Sequence, residues 1–194
     1  MNIRQQLLKR HSRENADFIE DHVVRTPGAI VELMVCFLGD ETKVAQRSSQ
    51  VVGNLGRHHP EMLQPWWEEM IDAGDTPVHI AIRRNVARYF SELELPIPAP
   101  LEKRIADSFT QWSTDSNVPV AVAVFAMQFV ADRHEKFPTH AIAIKKEIQS
   151  RMESDSATSG FCNRGRKNPE AVGWIITASL PAEAKMPILA TSML

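Results

Sequence analysis

No apolar run in the chain reaches the roughly 18 residues of a membrane span, and the stretch from Met1 to Asn15 holds no apolar core of signal-peptide length. A cytoplasmic protein with no membrane association is therefore expected. Cysteine is scarce: of the two present, Cys36 stands in the apolar run Leu33-Met34-Val35-Cys36-Phe37-Leu38, and Cys162 in a polar, basic stretch. That usage excludes a disulfide framework and marks Cys36 as a small core residue. An excess of one charge is also missing, the formal net charge being -2, so attraction to nucleic acid or anionic lipid requires a local patch. Asn-Gly hairpin signals, phosphate-binding glycine loops, GxSxG elbows and dinucleotide fingerprints are absent.

What is present is one long run in which almost every side chain must be hidden, from Val120 to Ala131, with Gln128 its single polar residue. Val120, Val122 and Val124 alternate as a strand does, but the run exceeds an ordinary strand in length. Asp115, Ser116 and Asn117 offer N-cap oxygens, Pro119 fits a first helical turn, and Pro138 stops the segment. A central helix is expected, apolar on all sides and surrounded by amphipathic helices.

The rest of the chain supplies such helices. Ser12 opens the first, which breaks at Thr26-Pro27-Gly28; Ala29 to Leu38 follows, with Gly39 suited to a left-handed C-terminal cap. Asp40 or Thr42 caps a helix from Lys43 to about His58, and Glu61 to Ala73 forms the next, carrying Trp66 and Trp67. Val78 to Leu93 is amphipathic, Leu95 to Pro100 reads as a stiff non-helical linker, and helices over Leu101 to Trp112 and Thr139 to Met152 flank the central run.

These helices repeat. Ala45, Ser49 and Val52, then Ile82, Val86 and Tyr89, then Val122, Ala126 and Phe129 share one i, i+4, i+7 spacing at offsets of 37 and 40 residues. Together with Val44-Ala45-Gln46-Arg47-Ser48-Ser49, this period resembles HEAT or armadillo-like repeats from residue 12 to about residue 167. More narrowly, VAVFAMQ at 122–128 followed by SGFCNRGRK at 159–167 is similar to a group of short bacterial HEAT-like proteins of unassigned function. The chain departs from their pattern by running on for 27 residues. Some of those relatives carry an adenylosuccinate lyase label, yet that enzyme's Ser-Ser loop with Met-Pro and Lys downstream is absent, and Lys185-Met186-Pro187 is not it. The resemblance implies an all-α, right-handed α-solenoid of two-helix repeats, about seven or eight helices, over residues 1–167. An apolar, proline-containing tail follows over 168–194, either docked on the last repeat or mobile.

Candidate chemistry is sparse. His134 and His140 are six residues apart with Pro138 between them, which does not place two ligands on one helix face, and His58-His59 suit the C-terminal end of a helix dipole. No metal, cofactor or catalytic residue is expected; Cys162, near Arg164, Arg166 and Lys167, has no neighbouring base. Of Trp66 and Trp67, adjacent on a helix, one enters the core, and the other packs between repeats or anchors a partner. The 37-residue offset aligns Arg47 with Arg84, and Arg88 lies one turn further on. In the resembled stacks second helices line the concave face, so Arg47, Gln50, Asn54, Arg84 and Arg88 are the candidate binding residues there, unless the arginines pair with Glu68, Glu69 or Glu92. The resemblance thus implies a non-enzymatic scaffold holding a protein segment. The alternative is a nucleic-acid-binding protein akin to the HEAT-like glycosylases for alkylated bases, which use aromatic residues and a carboxylate in a basic groove; the chain has Trp112, Asp115 and many arginines, but no motif that aligns with that family's catalytic positions.

Overall fold

The computed structural model describes residues 1–153, and among these every regular element is a helix. The helices are α1 (Ile3–Lys9), α2 (Arg13–Arg25), α3 (Ala29–Leu38), α4 (Thr42–His58), α5 (Trp67–Asp75), α6 (Ile80–Glu92), α7 (Ala99–Thr114), α8 (Val120–Ala131) and α9 (Pro138–Glu153), with a 3-10 segment at Pro60–Trp66. Cys162, the segment 159–167, the boundary expected at 167 and the tail 168–194 lie outside the described residues. Backbone contacts divide the chain into Met1–Ile144 and Lys145–Leu194, and the packing below is that of the first unit. No helix among the described residues is long and apolar enough to cross a membrane.

Several helix ends follow the expected chemistry, and others depart from it for identifiable reasons. Ser12 caps α2, its hydroxyl accepting from the Asn15 amide at 3.2 Å. Gly39 is extended (φ -75°) rather than left-handed; a Cβ there would lie 2.9 Å from the Val35 carbonyl, which is what excludes a side chain. Neither Asp40 nor Thr42 caps α4. Glu41 holds that position without a side-chain cap bond, its carboxylate accepting from Arg4 at 2.6 Å instead. The single helix expected over Glu61 to Ala73 is two pieces, because Pro65 cannot donate its N–H and residues 60–66 wind as a 3-10 segment before α5 begins. The stiff linker ends sooner than expected: α7 starts at Ala99, since Pro100 fits its first turn. Pro119 is itself the N-cap residue of α8, and Asp115 instead accepts from the Asn117 amide at 2.8 Å in a turn. The sequence reading missed α1, whose Ile3 and Leu7 are buried.

Contacting pairs fix how the helices run. In α5 and α6, Trp67 meets Tyr89 and Phe90 while Gly74 meets Val86, so the two are antiparallel. In α7 and α8, Phe109 meets Phe129 while Glu102 reaches Arg133 just past the end of α8, so these are antiparallel too. Alternate helices run parallel. Asp17 and Glu20 of α2 pair with Asn54 and His58 of α4; Gly53 and Gly56 of α4 abut Asn85 and Tyr89 of α6; Asp72 and Asp75 of α5 meet Arg104 and Trp112 of α7.

Ala45, Ser49, Val52, Ile82, Val86, Tyr89, Val122, Ala126 and Phe129, the residues of the repeated spacing, are all buried. A chain of rings threads the core from Trp67 through Phe90 and Phe109 to Phe129, with centroids 6.1, 6.3 and 5.1 Å apart. The central helix is less enclosed than its composition implies. Val122, Ala123, Ala126, Met127, Phe129 and Val130 are buried, whereas Val120, Ala121, Val124, Phe125, Gln128 and Ala131 are half-buried. An all-apolar sequence states that exposure is unfavourable; it does not state that every flank has a neighbour.

Tyr89 ties three elements together. Its hydroxyl accepts from Trp67 Nε1 at 2.8 Å and donates to the Pro60 carbonyl at 2.8 Å. Burial pushes its pKa up to about 12, against the opposing pull of the Trp67 hydrogen bond. Tyr89→Phe strands a buried indole N–H and a carbonyl, and it is expected to lower unfolding free energy by about 2 kcal/mol in urea titrations. A neutral result would mean that neither group needs that hydroxyl.

Candidate binding groove

Three parallel helices, α2, α4 and α6, leave a groove of about 640 Å³ between their exposed faces. Residues on α4 and α6 enter it at the same helical spacing. Gln50, Gly53, Asn54 and Arg57 line one wall, and Ala81, Arg84, Asn85 and Arg88 line the other. Positions i, i+3, i+4 and i+7 share a helix face, and two parallel helices presenting such faces make a continuous floor. From α2 come Arg13 and Asp17, with His11 and His58 at the margins.

Four of the five residues expected at a binding face line this groove: Gln50, Asn54, Arg84 and Arg88. Arg47 does not. Its guanidinium donates to the Leu7 carbonyl at 2.7 Å, near the C-terminal end of α1, where helix carbonyls lack intrahelical partners. Arg47 and Arg84 occupy equivalent positions by the 37-residue offset, but only Arg47 has a short helix laid beside it. Arg57, Arg13, Asp17, His11, His58 and Asn85 were missed by the sequence reading. Arg57 was accessible to it, lying seven residues beyond Gln50 on one face, whereas the α2 residues required knowledge of which helix stacks beside α4.

The charges are unevenly matched. Arg88 pairs with Glu92 at 2.8 Å, the intrahelical partnership that the sequence allowed, and Arg13 stands 3.7 Å from Asp17. Asn54, only 7% exposed, donates to Asp17 at 3.0 Å and accepts from Arg57, whose side chain folds back one turn to reach it. Arg57 therefore bonds an amide rather than a carboxylate. Arg84 is exposed and makes no ion pair or hydrogen bond among the described residues. His58 bonds Glu20 at 2.6 Å, and that carboxylate is largely buried. Four arginines against one aspartate make the lining cationic in a chain of net charge -2.

Other residues singled out by sequence have different surroundings. Trp67 is buried, and Trp66 is half-buried at the start of α5. Trp112 is 2% exposed in the core, donating to Asp75 at 3.1 Å, with Arg83 over its ring at 5.3 Å; a Cβ at Gly74 would lie 2.5 Å from it. Burial lowers the pKa of Arg83 from its ordinary value, opposed by Asp75 and Asp115. His134 bonds the Ala131 carbonyl and His140 bonds Asp107 at 2.7 Å. Among the described residues, no three His, Cys, Asp or Glu side chains are grouped so as to hold a metal ion.

Comparison with protein families, curated proteins and solved structures found no match for the chain in any of the three.

Proposed function

We propose that this chain is a cytoplasmic, HEAT-like scaffold, a right-handed solenoid of two-helix repeats, and that it holds an acidic protein segment in the α2–α4–α6 groove without performing chemistry on it. Support for the repeat reading comes from the antiparallel neighbours and parallel alternates described above. Asp17–Asn54 and Glu20–His58 join residues 37 and 38 apart, close to the sequence offsets of 37 and 40. The kinship with short bacterial HEAT-like proteins is part of the same proposal.

One observation carries the binding reading: Arg84 and Arg57 enter the same groove, and neither has a carboxylate partner. A guanidinium held on a rigid helix without its counter-ion favours an anion brought by a ligand. The size of the groove, about 640 Å³, suits a short stretch of one chain, whereas duplex binding draws on many phosphate contacts over a longer surface. Trp112, the aromatic that a base-flipping alternative would use, is committed to the core.

Fluorescence anisotropy with a labelled oligoglutamate peptide tests the reading. Binding at low salt is expected, with Arg84→Glu and Arg57→Glu each weakening it at least about tenfold, an increment of about 1.4 kcal/mol. Tighter binding of a labelled duplex, with a steep salt slope also abolished by Arg84→Glu, would replace the protein-segment reading by the nucleic-acid one.

A further inference from the structure

Resting on that reading of the groove, we infer that its anion site is built for a phosphate monoester on the bound segment, in preference to a side-chain carboxylate. The argument starts from register. Gly53 of α4 abuts Asn85 of α6, a Cβ there falling 2.9 Å from the Asn85 amide oxygen, so the two helices approach closely at this level. Arg84, the residue before Asn85, therefore lies at about the level of Gly53 along the groove. Arg57 starts one turn further along α4, but its guanidinium is drawn back to Asn54, the neighbour of Gly53. The two arginines that lack carboxylate partners thus line one groove at neighbouring levels, with the Asn85 side chain packed against Gly53 between the helices.

The surroundings narrow the ligand. Asn85 donates one amide N–H to the Ala81 carbonyl at 3.0 Å, and Asn54 donates to Asp17 and accepts from Arg57, so both amides are already partly engaged. Gln50, half-buried one turn before Asn54, makes no hydrogen bond among the described residues and remains as a neutral donor. Asp17, on the α2 side, is held by Asn54 and stands 3.7 Å from Arg13. Two guanidinium forks and an amide then line the same groove. A carboxylate offers one charge and two oxygens, enough for one fork, whereas a phosphate monoester offers close to two charges and three acceptor oxygens, enough for both. The arrangement is matched to the dianion.

Labelled pentapeptides of sequence Ala-Ala-X-Ala-Ala, with X phosphoserine, glutamate or serine, provide the test by anisotropy at fixed salt. The phosphoserine peptide is expected to bind at least about tenfold tighter than the glutamate peptide, and the serine peptide not at all. That preference should fall to parity in Arg84→Ala and in Arg57→Ala. In Arg84→Lys, which keeps the charge but loses the fork, glutamate binding should survive while the preference shrinks. Thermal melts of each variant guard against misfolding, and Arg84, being exposed, is the variant least exposed to that objection. Equal affinity for phosphoserine and glutamate would overturn the phosphate inference and leave the groove standing. Loss of both, with oligoglutamate also unbound, would overturn the groove itself. Inorganic phosphate competing as well as the phosphoserine peptide would make this a site for the free ion and overturn the segment-borne assignment. Tighter binding of single-stranded DNA than of the phosphoserine peptide would do the same.

Discussion

Phe129→Ala is expected to lower the unfolding free energy by about 3–5 kcal/mol, measured by urea denaturation followed by circular dichroism. The ring is fully buried on α8 and is the last member of the aromatic chain, meeting Phe109 edge-on at 5.1 Å. Its other face carries the Arg133 guanidinium, 3.9 Å from the ring centre. Truncation removes the transfer free energy of the ring, leaves a cavity that helices α6, α7 and α8 must collapse to fill, and strips Arg133 of the surface it lies on. The first two effects alone place the change in the upper range of core substitutions; the third couples it to a charged cluster. Val35→Ala makes the contrasting case, since Val35 is 66% exposed and its loss should stay within about 0.5 kcal/mol. A change at Phe129 below about 1 kcal/mol would contradict the packing described for α8.

The helices were legible in the sequence because apolar residues recur at 3.6-residue intervals and because proline or glycine marks most of the breaks. Ala29–Leu38 matches its expected range in full, and Ser12, Pro27 and Pro60 stand at the boundaries where they were expected to act. Proline was also where the reading failed, in both directions. By its local context Pro100 excludes a helix that it in fact opens, and Pro65, inside an otherwise periodic stretch, splits that stretch in two. Four of the five candidate residues fall along one groove because a groove between parallel helices is lined by one face of each, and a face is a property of local spacing. Arg47 could not be sorted from Arg84 by the same rule. Its fate depends on α1, a seven-residue helix too short to show a period, whose C-terminal end happens to need a donor. The contribution of Asp17 was hidden for a related reason: it reaches the groove through a partner 37 residues away, and no window along the chain spans that distance. Which of Trp66 and Trp67 turns inward was likewise decided from afar, by the hydroxyl of Tyr89.

The second large effect is expected at Glu102, which holds the turn after α8 against α7. Its carboxylate accepts from Arg133 Nε at 2.9 Å through one oxygen and from Lys136 through the other, and its side chain is only 11% exposed. Glu102→Ala leaves the Arg133 guanidinium, itself 20% exposed, without its counter-charge, and a desolvated unpaired cation is what makes broken buried ion pairs costly. Lys136 is half in water and adds little, so a loss of about 3 kcal/mol is expected, at the low end for such sites. The pH dependence separates charge from shape. Burial raises the Glu102 pKa, but the hydrogen bonds and charges of Lys136 and Arg133 outweigh it, and the net position is below the ordinary glutamate value. A carboxylate with a depressed folded pKa stabilises the protein fully above its unfolded pKa and loses that contribution as pH falls through the folded one. Glu102→Gln keeps the shape and removes the titration. At pH 7 it should be less stable than the wild type, and the gap should close below the ordinary glutamate range of about 4.3 as the wild-type carboxylate takes up its proton. Asp107, also held low by Lys103 foremost and by His140 against the effect of burial, titrates in both proteins and cancels from the difference. If the gap instead stays constant from neutral to acid pH, the ion cluster contributes through packing alone, and the turn following α8 is held by Phe129 and Phe137 rather than by charge.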